Sequence, residues 1–465
     1  MHVYWGNKWG LSSVFPLVQV GGAALVALLL WCLHPAVPLA DVAARWWFNP
    51  LVYIVLWSPA LVVLSDFWRQ GRRDWTVLLP VFVLAMMLMG MFYDRRTGYN
   101  QTLFFSAAAL IAAVAARRFR RPPLYTWFFW LYFVVLAVSL VWSPEKQVGM
   151  KLLEQSLMFV CVPAAYCCFP LSESDKYLVM RAMVYSALGF VLLTLLTMLY
   201  QSLTLSIPLQ DWLVFDKHFI HGTDSYELVY AWQSYRHPSY NALVLVAALV
   251  AAFCLCARRL LSKGGLVCLS LAVFFLLYIT QSRIGVIMWG LVSLLGVLWM
   301  IKGRTWRIVY SLCCLLLFVA FALYLWLGTS HLGVEPFRFQ IWETVVRGIK
   351  AHPLMGLGLG GMRHMPTLEA LTEDKYWAGV WFHLGPHNQY LGDWMQSGVF
   401  ALVALLLMMG SLLWTAVRQR NLALLLFWLC VAVFMLIEMP LNLMRGITLF
   451  TCFTCFFAAR PSDKS

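Results

Sequence analysis

The stretch LGDWMQSGVFALVALLLMMGSLLWTA, residues 391–416, carries one charged side chain, Asp393, among its 26 residues. An α-helix needs about 20 mostly apolar residues to cross the hydrocarbon core of a bilayer. This stretch therefore predicts a membrane-spanning helix. The polar residues His387 and Asn388, which come shortly before it, would then lie where the chain enters the membrane.

Apolar runs of similar length recur along the whole chain, which is 62% hydrophobic and 12% charged. The composition predicts an all-α polytopic membrane protein with about 12–14 transmembrane helices. The runs 102–116 and 446–459 are short, and the sequence leaves open whether they cross the bilayer fully. The predicted spans are 12–32, 49–65, 75–92, 102–116, 123–142, 151–170, 180–200, 240–257, 264–280, 284–300, 308–328, 391–416, 422–438 and 446–459.

The basic residues predict how these spans are oriented. If the N-terminus is cytoplasmic, the junctions on the cytoplasmic side and the two termini together carry 20 of the 34 Lys and Arg residues. Cytoplasmic loops are enriched in Lys and Arg, so the net charge of +14 indicates orientation and not nucleic-acid binding. The predicted organisation is an N-terminal bundle 1–200, an outer loop 201–239, spans 240–328, a long outer loop 329–390 and C-terminal spans 391–465.

Several polar residues fall on the outer face in this topology. Nine of the ten histidines, all but His2, lie there. Arg236 and His237 come just before a span, and Arg283 stands between two apolar runs with almost no loop around it. An Arg at membrane depth costs several kcal/mol unless it faces a cavity or an anion. Both arginines are therefore candidates for anion binding, with snorkelling toward lipid phosphate as the alternative.

The long outer loop contains FRFQIWETVVRGIKAH, residues 337–352, in which apolar residues recur every three or four positions. This spacing predicts an amphipathic helix that lies at the membrane surface. We expect the helix to end at the His352-Pro353 step and GLGLGG, at 356–361, to form a flexible turn. The apolar face would carry Phe339, Trp342, Val345, Val346 and Ile349, and the opposite face Arg338, Glu343, Arg347 and Lys350.

Four segments form a recognisable series along the chain. They are RHPSYNALVL (236–245), TQSRIG (280–285), an R-x-x-x-W helix followed by HPLMGLGLGGM (352–362), and PHNQYLGDWMQSGVFAL (386–402). Together they resemble the O-antigen ligase and Wzy polymerase superfamily of bacterial membrane glycosyltransferases. The resemblance covers roughly residues 230–440, and its most specific part is the H-N-x-x-L step that begins at His387.

The resemblance implies a GT-C-like enzyme of the bacterial inner membrane whose active site faces the periplasm. Its donor would be a glycan on undecaprenyl pyrophosphate. The acceptor would be lipid A-core in a ligase, a second lipid-linked glycan in a polymerase, or a protein such as pilin in an oligosaccharyltransferase. A ligase is favoured, because the outer loop is moderate in length and carries the H-N motif without an added soluble domain.

Members of this family use outer-face arginines for the pyrophosphate and a histidine for the acceptor. On this chain those roles would fall on Arg236, Arg283 and His387, with His237 and His383 as alternative imidazoles. The residues with supporting roles would be Arg338, Arg347, Asn388 and Asp393.

The residue types suit glycosyl transfer. An imidazole with a pKa near 6.5 can take the proton of an acceptor hydroxyl, and guanidinium groups match phosphate oxygens bidentately. The outer loops lack a DxD motif, so we expect metal-independent, inverting transfer without a cofactor.

Asp393 would orient a partner side chain or cap the helix, and capping is favoured. A transporter of lipid-linked glycan is the alternative from another class, but the internal repeats typical of transporters are not seen.

Overall fold

The computed structural model describes residues 11–33, 36–93, 95–117, 119–169, 171–213, 225–233, 236–313, 316, 336–364 and 386–459. Within these ranges the regular structure is helical and contains no strand, which confirms the predicted all-α class. Short 3-10 turns lie at Leu140–Trp142, Leu209–Leu213, Gly361–His364 and Pro440–Asn442.

The helices are numbered in chain order. They are α1 (Leu11–Leu33), α2 (Leu39–Ala43), α3 (Phe48–Trp57), α4 (Ala60–Arg69), α5 (Trp75–Gly90), α6 (Arg95–Ala116), α7 (Leu124–Ser139), α8 (Lys146–Ser156), α9 (Met158–Cys168), α10 (Glu173–Thr204), α11 (Ser225–Val229), α12 (Pro238–Ala257), α13 (Lys263–Ile279), α14 (Arg283–Met300), α15 (304–313), α16 (Pro336–Ala351), α17 (Gln389–Arg418), α18 (Leu422–Met435) and α19 (Met444–Ala458).

Seven described helices are long and apolar enough to cross a membrane, or eight if the bent pair α3 and α4 is one span. This confirms a polytopic membrane protein, whereas the exact count of 12–14 spans stays a prediction. The short run 102–116 belongs to the longer helix α6, in which Tyr99–Ala116 meets the length of a span. Most of the predicted span 308–328 lies outside the described residues.

The contacts of two helices explain where α10 begins and how α19 is buried. Helix α10 begins at Glu173, several residues before the predicted start at 180, because the side chain of Ser172 accepts a hydrogen bond from the backbone N–H of Asp175 and caps a polar first turn. Helix α19, the short run 446–459, is buried on all sides from Arg445 to Ala458. Burial on every face is typical of a helix in the protein interior.

The chain forms two compact units. The first comprises residues 1–120, 165–289 and 459–465, and the second comprises 121–164 and 290–458. In the first unit, α10 packs against α12, which is almost completely buried. In the second unit, α17 packs against α7, α16 and α18.

The glycine-rich segment 356–361 is a packed loop of the second unit and not the flexible turn expected from its sequence. Gly356, Gly358 and Gly360 have φ values of 65°, 86° and 90°. A Cβ atom on each would come within 2.5–2.6 Å of the backbone of Gly398, Ser143 and Gly149, respectively. The loop therefore lies against the backbone of α17, of the α7–α8 junction and of α8, which glycine alone allows.

Helix α17 bends where this loop meets it. Gly398 has φ 77° and ψ −177°, a backbone conformation essentially confined to glycine. A Cβ atom there would lie 2.0 Å from the carbonyl oxygen of Leu354. The bend directs the first turns of α17, which carry the polar residues, away from the long apolar part of the helix.

We expect Gly398→Ala to destabilise the protein strongly. Backbone strain alone costs about 1–3 kcal/mol, and the contact with Leu354 adds to it. Gly410→Ala in the same helix is the matched control, because Gly410 is helical and an added Cβ meets nothing within 4 Å. That change should stabilise the helix by about 0.5–1 kcal/mol. Thermal unfolding of the purified variants measures both effects, and equal melting temperatures would contradict the assignment.

Candidate active site

His387 lies two residues before the start of α17 in a strained backbone conformation. Its φ is 49°, in the left-handed region. The other described non-glycine residues with positive φ follow the end of a helix, where this conformation is ordinary. They are Arg117, Ser206, Arg259, Gln281 and Arg420. His387 instead precedes a helix, and strained residues of this kind concentrate at functional sites.

Asn388 explains how α17 begins. Its side-chain oxygen accepts a hydrogen bond from the backbone N–H of Leu391 at 3.1 Å, so it is the N-cap residue. Its amide nitrogen donates to the carbonyl oxygen of Leu436 at 3.2 Å. This second hydrogen bond ties the start of α17 to the segment that follows α18. The H-N pair of the sequence thus places an imidazole directly beside a helix cap.

Glu438 is the acidic partner of His387. Its Oε2 lies 3.4 Å from Nδ1 of His387, and the residue is 7% exposed. A carboxylate at this nitrogen favours the tautomer that carries the proton on Nδ1 and leaves Nε2 as an acceptor. The sequence interpretation missed Glu438, which ended a predicted span. The sequence feature that could have identified Glu438 is its position, two residues before Pro440 and at the end of that span.

A buried polar network supports the segment that carries Glu438. Gln389 accepts a hydrogen bond from the backbone N–H of Leu441 at 2.8 Å and donates to Asp393 at 2.6 Å. Asn442 donates to Gln396 at 3.0 Å. These contacts hold the Pro440–Asn442 turn against one face of α17.

Asp393 completes this network and does not cap the helix as expected. Its Oδ2 accepts a hydrogen bond from the hydroxyl of Tyr132 at 2.7 Å, and its other oxygen accepts from Gln389. The residue is 2% exposed and lies one turn inside α17, where the backbone N–H groups already have helical partners. Asn388 is the cap instead. The alternative role, orientation of a partner side chain, fits the contact with Gln389.

Arg236 and Arg283 lie at the starts of two neighbouring helices of the first unit. Arg236 precedes α12 by two residues and Arg283 is the first residue of α14. A Cβ atom on Gly285 would come within 2.8 Å of the Cβ of Ala242, so the first turns of α12 and α14 touch. The two guanidinium groups therefore belong to adjacent helix starts, an arrangement suited to an anion.

The surroundings of these two arginines differ. Nε of Arg236 donates to the carbonyl oxygen of Gln233 at 3.4 Å. The side chain of Gln233 donates a hydrogen bond to the carbonyl oxygen of Phe92 at 2.7 Å and accepts one from the side chain of Asn241 at 2.9 Å. Within the described part of the chain, the half-exposed Arg283 side chain makes no hydrogen bond or ion pair. Arg283 thus keeps its full set of donors available to a ligand.

The other site residues that the sequence predicts lie in separate parts of the structure or outside the described residues. His237 lies beside Arg236 in the first unit, with its ring edge-to-face against Tyr240 at 5.0 Å. Arg347 is exposed and pairs with Glu343 at 2.6 Å, one helical turn away on α16. Arg338 is on α16, but its side chain lies outside the described residues, and so does His383.

Helix α16 confirms the predicted amphipathic helix, but its apolar face is covered by protein. Ile341, Val345 and Ile349 are at most 5% exposed and pack with Met395 of α17. Val346, expected on the apolar face, is 37% exposed. The apolar stripe of α16 therefore serves to dock this helix on the first turns of α17. Its placement at a membrane surface stays a prediction.

The described residues contain no group of three or more His, Cys, Asp or Glu side chains that could hold a metal ion. A family model described as O-antigen ligase matches residues 266–406. The matched segment includes Arg283, α16, the glycine loop and His387, and it leaves out Arg236 and Glu438. A search of curated proteins finds no match.

Proposed function

We propose that this chain, whose residues 266–406 match a family model described as O-antigen ligase, is an O-antigen ligase. In this proposal it moves a glycan from undecaprenyl pyrophosphate to lipid A-core at the periplasmic face of the bacterial inner membrane. The observation that carries the proposal is the His387–Glu438 pair, with 3.4 Å between Nδ1 and Oε2, in which His387 belongs to the matched segment.

The pair supplies the general base of the reaction. Nδ1–H of His387 donates to Glu438, so the lone pair on Nε2 takes the proton of the acceptor hydroxyl. The acceptor oxygen attacks the anomeric carbon and forms the new glycosidic bond. The bond between that carbon and the pyrophosphate oxygen breaks, and undecaprenyl pyrophosphate leaves with the electron pair. A single displacement inverts the configuration at the anomeric carbon.

Arg236 and Arg283 are the proposed ligands of the pyrophosphate. Guanidinium groups stay protonated, and their paired N–H donors fit two phosphate oxygens at once. Two such groups at adjacent helix starts suit the two phosphates of the donor, and they would also stabilise the charge that develops on the leaving group. Pyrophosphate is a good leaving group, so the proposal needs neither a general acid nor a metal ion.

The identity of the acceptor distinguishes a ligase from a polymerase or an oligosaccharyltransferase. Purified protein is incubated with lipid-linked glycan and, separately, with lipid A-core, a second lipid-linked unit or pilin, in buffer that contains EDTA. We expect glycosylated lipid A-core, with no product from the His387→Ala variant. Elongated lipid-linked glycan would instead indicate a polymerase, and modified pilin an oligosaccharyltransferase. No product with any acceptor, together with movement of lipid-linked glycan across vesicles, would indicate a transporter.

A further inference from the structure

Trp342 connects the amphipathic helix to the peptide group in front of His387. Its indole Nε1–H donates a hydrogen bond to the carbonyl oxygen of Pro386 at 2.9 Å. The ring also packs against the cluster formed by Ile341, Val345, Ile349 and Met395. Helix α16 is thus fixed to the start of α17 by apolar packing, and Trp342 adds a directed contact to the turn that carries the imidazole.

The carbonyl that Trp342 binds is well placed to control His387. Proline has no backbone N–H, so the carbonyl oxygen is the one backbone group of Pro386 that can form a hydrogen bond. That oxygen belongs to the peptide plane that sets φ of His387, which is 49°. On the other side of His387, Asn388 is held by Leu391 and by the carbonyl oxygen of Leu436. Both neighbours of His387 are therefore held by hydrogen bonds, Pro386 through its carbonyl oxygen and Asn388 through its side chain.

We propose that Trp342 is a positioning residue, whose hydrogen bond to Pro386 holds the left-handed turn and thereby keeps the His387 imidazole against Glu438. This inference rests on the proposed role of His387 as the base. Trp342 acts through the turn and touches no substrate. Because a misplacement of about 1 Å can cost a factor of 10² in rate, a single hydrogen bond at this carbonyl can control turnover.

Trp394 offers a matched control within the same cluster. Its indole Nε1–H donates to the carbonyl oxygen of Pro353, also at 2.9 Å, and its ring packs on the same buried residues. That carbonyl lies at the start of the glycine loop and not beside His387. Replacement of either Trp by Phe removes an indole donor to a proline carbonyl and keeps an aromatic ring.

We expect Trp342→Phe to lower kcat by about 10- to 100-fold while KM for the lipid-linked donor changes little. Trp394→Phe should keep most of the wild-type kcat, and the two variants should unfold at similar temperatures. Steady-state kinetics with the productive acceptor and thermal unfolding measure these quantities. Equal losses of kcat in both variants, or none in Trp342→Phe, would overturn the inference.

A second measurement tests the turn without relying on activity. Hydrogen–deuterium exchange of the backbone amides at 387–391 should become faster in Trp342→Phe and stay at the wild-type rate in Trp394→Phe. Unchanged exchange in Trp342→Phe would overturn the inference even if its kcat falls. If the wild-type protein transfers glycan to none of the acceptors, the proposed function fails, and the exchange rates still decide whether Trp342 holds the turn.

Discussion

His387→Ala is expected to abolish glycan transfer, with a fall in kcat of about 10²–10⁴. The imidazole is the proposed acceptor of the hydroxyl proton, and alanine leaves no group that can take it. Binding of the lipid-linked donor should persist, because the proposed pyrophosphate ligands are the arginines of the first unit. Single-turnover transfer and donor binding by the purified variant measure the two quantities separately.

Glu438 provides an internal test of the same assignment. Glu438→Gln keeps an oxygen that can accept from Nδ1–H of His387, whereas Glu438→Ala removes it, so the alanine variant should lose more activity. His352→Ala is the control, since His352 is an exposed histidine in the same unit. An active His387→Ala enzyme beside an inactive His383→Ala or His237→Ala variant would assign the base to another imidazole.

The helical fold follows from composition, because long apolar runs have few alternatives to membrane helices. The predicted ends of most spans fall within a few residues of the observed helix ends. Helices α6 and α10 are exceptions, because both begin several residues before the predicted run. At α10 a polar segment, capped by Ser172, extends the helix beyond the start that hydropathy predicts. Apolar periodicity also predicted α16, but it could not tell whether lipid or α17 covers the apolar face.

The candidate site was only partly predictable, for reasons that lie in its contacts. His387 and Asn388 belong to a local motif that can be read from sequence. Glu438 lies 51 positions later, and the hydrogen bond from Asn388 to Leu436 brings its segment to His387. The glycines of the 356–361 loop indicate conformational freedom, whereas their use in close backbone packing depends on residues far away in sequence.

Arg283→Ala is expected to reduce kcat/KM by about 10²–10³, the loss typical when a donor to developing charge is removed. Arg283→Lys keeps the positive charge but loses the planar fork, so its activity should lie between those of the alanine variant and the wild type. Arg236→Ala should resemble Arg283→Ala, because both side chains belong to the same pair of helix starts. Steady-state kinetics of the purified proteins measure these losses.

Arg258→Ala is the matched control, because it removes a positive charge that has no proposed role in catalysis. Arg258 follows the opposite end of α12, is 61% exposed and pairs with Glu173 at 2.8 Å, so its loss should leave kcat/KM unchanged. Wild-type turnover by Arg283→Ala would show that Arg283 merely snorkels toward lipid phosphate. Whether KM or kcat changes in Arg283→Ala shows at which stage of the reaction Arg283 acts. A higher KM for the donor with unchanged kcat would mean that Arg283 binds the pyrophosphate equally in the ground and transition states. A lower kcat would mean that its guanidinium acts mainly on the charge that develops as the pyrophosphate departs.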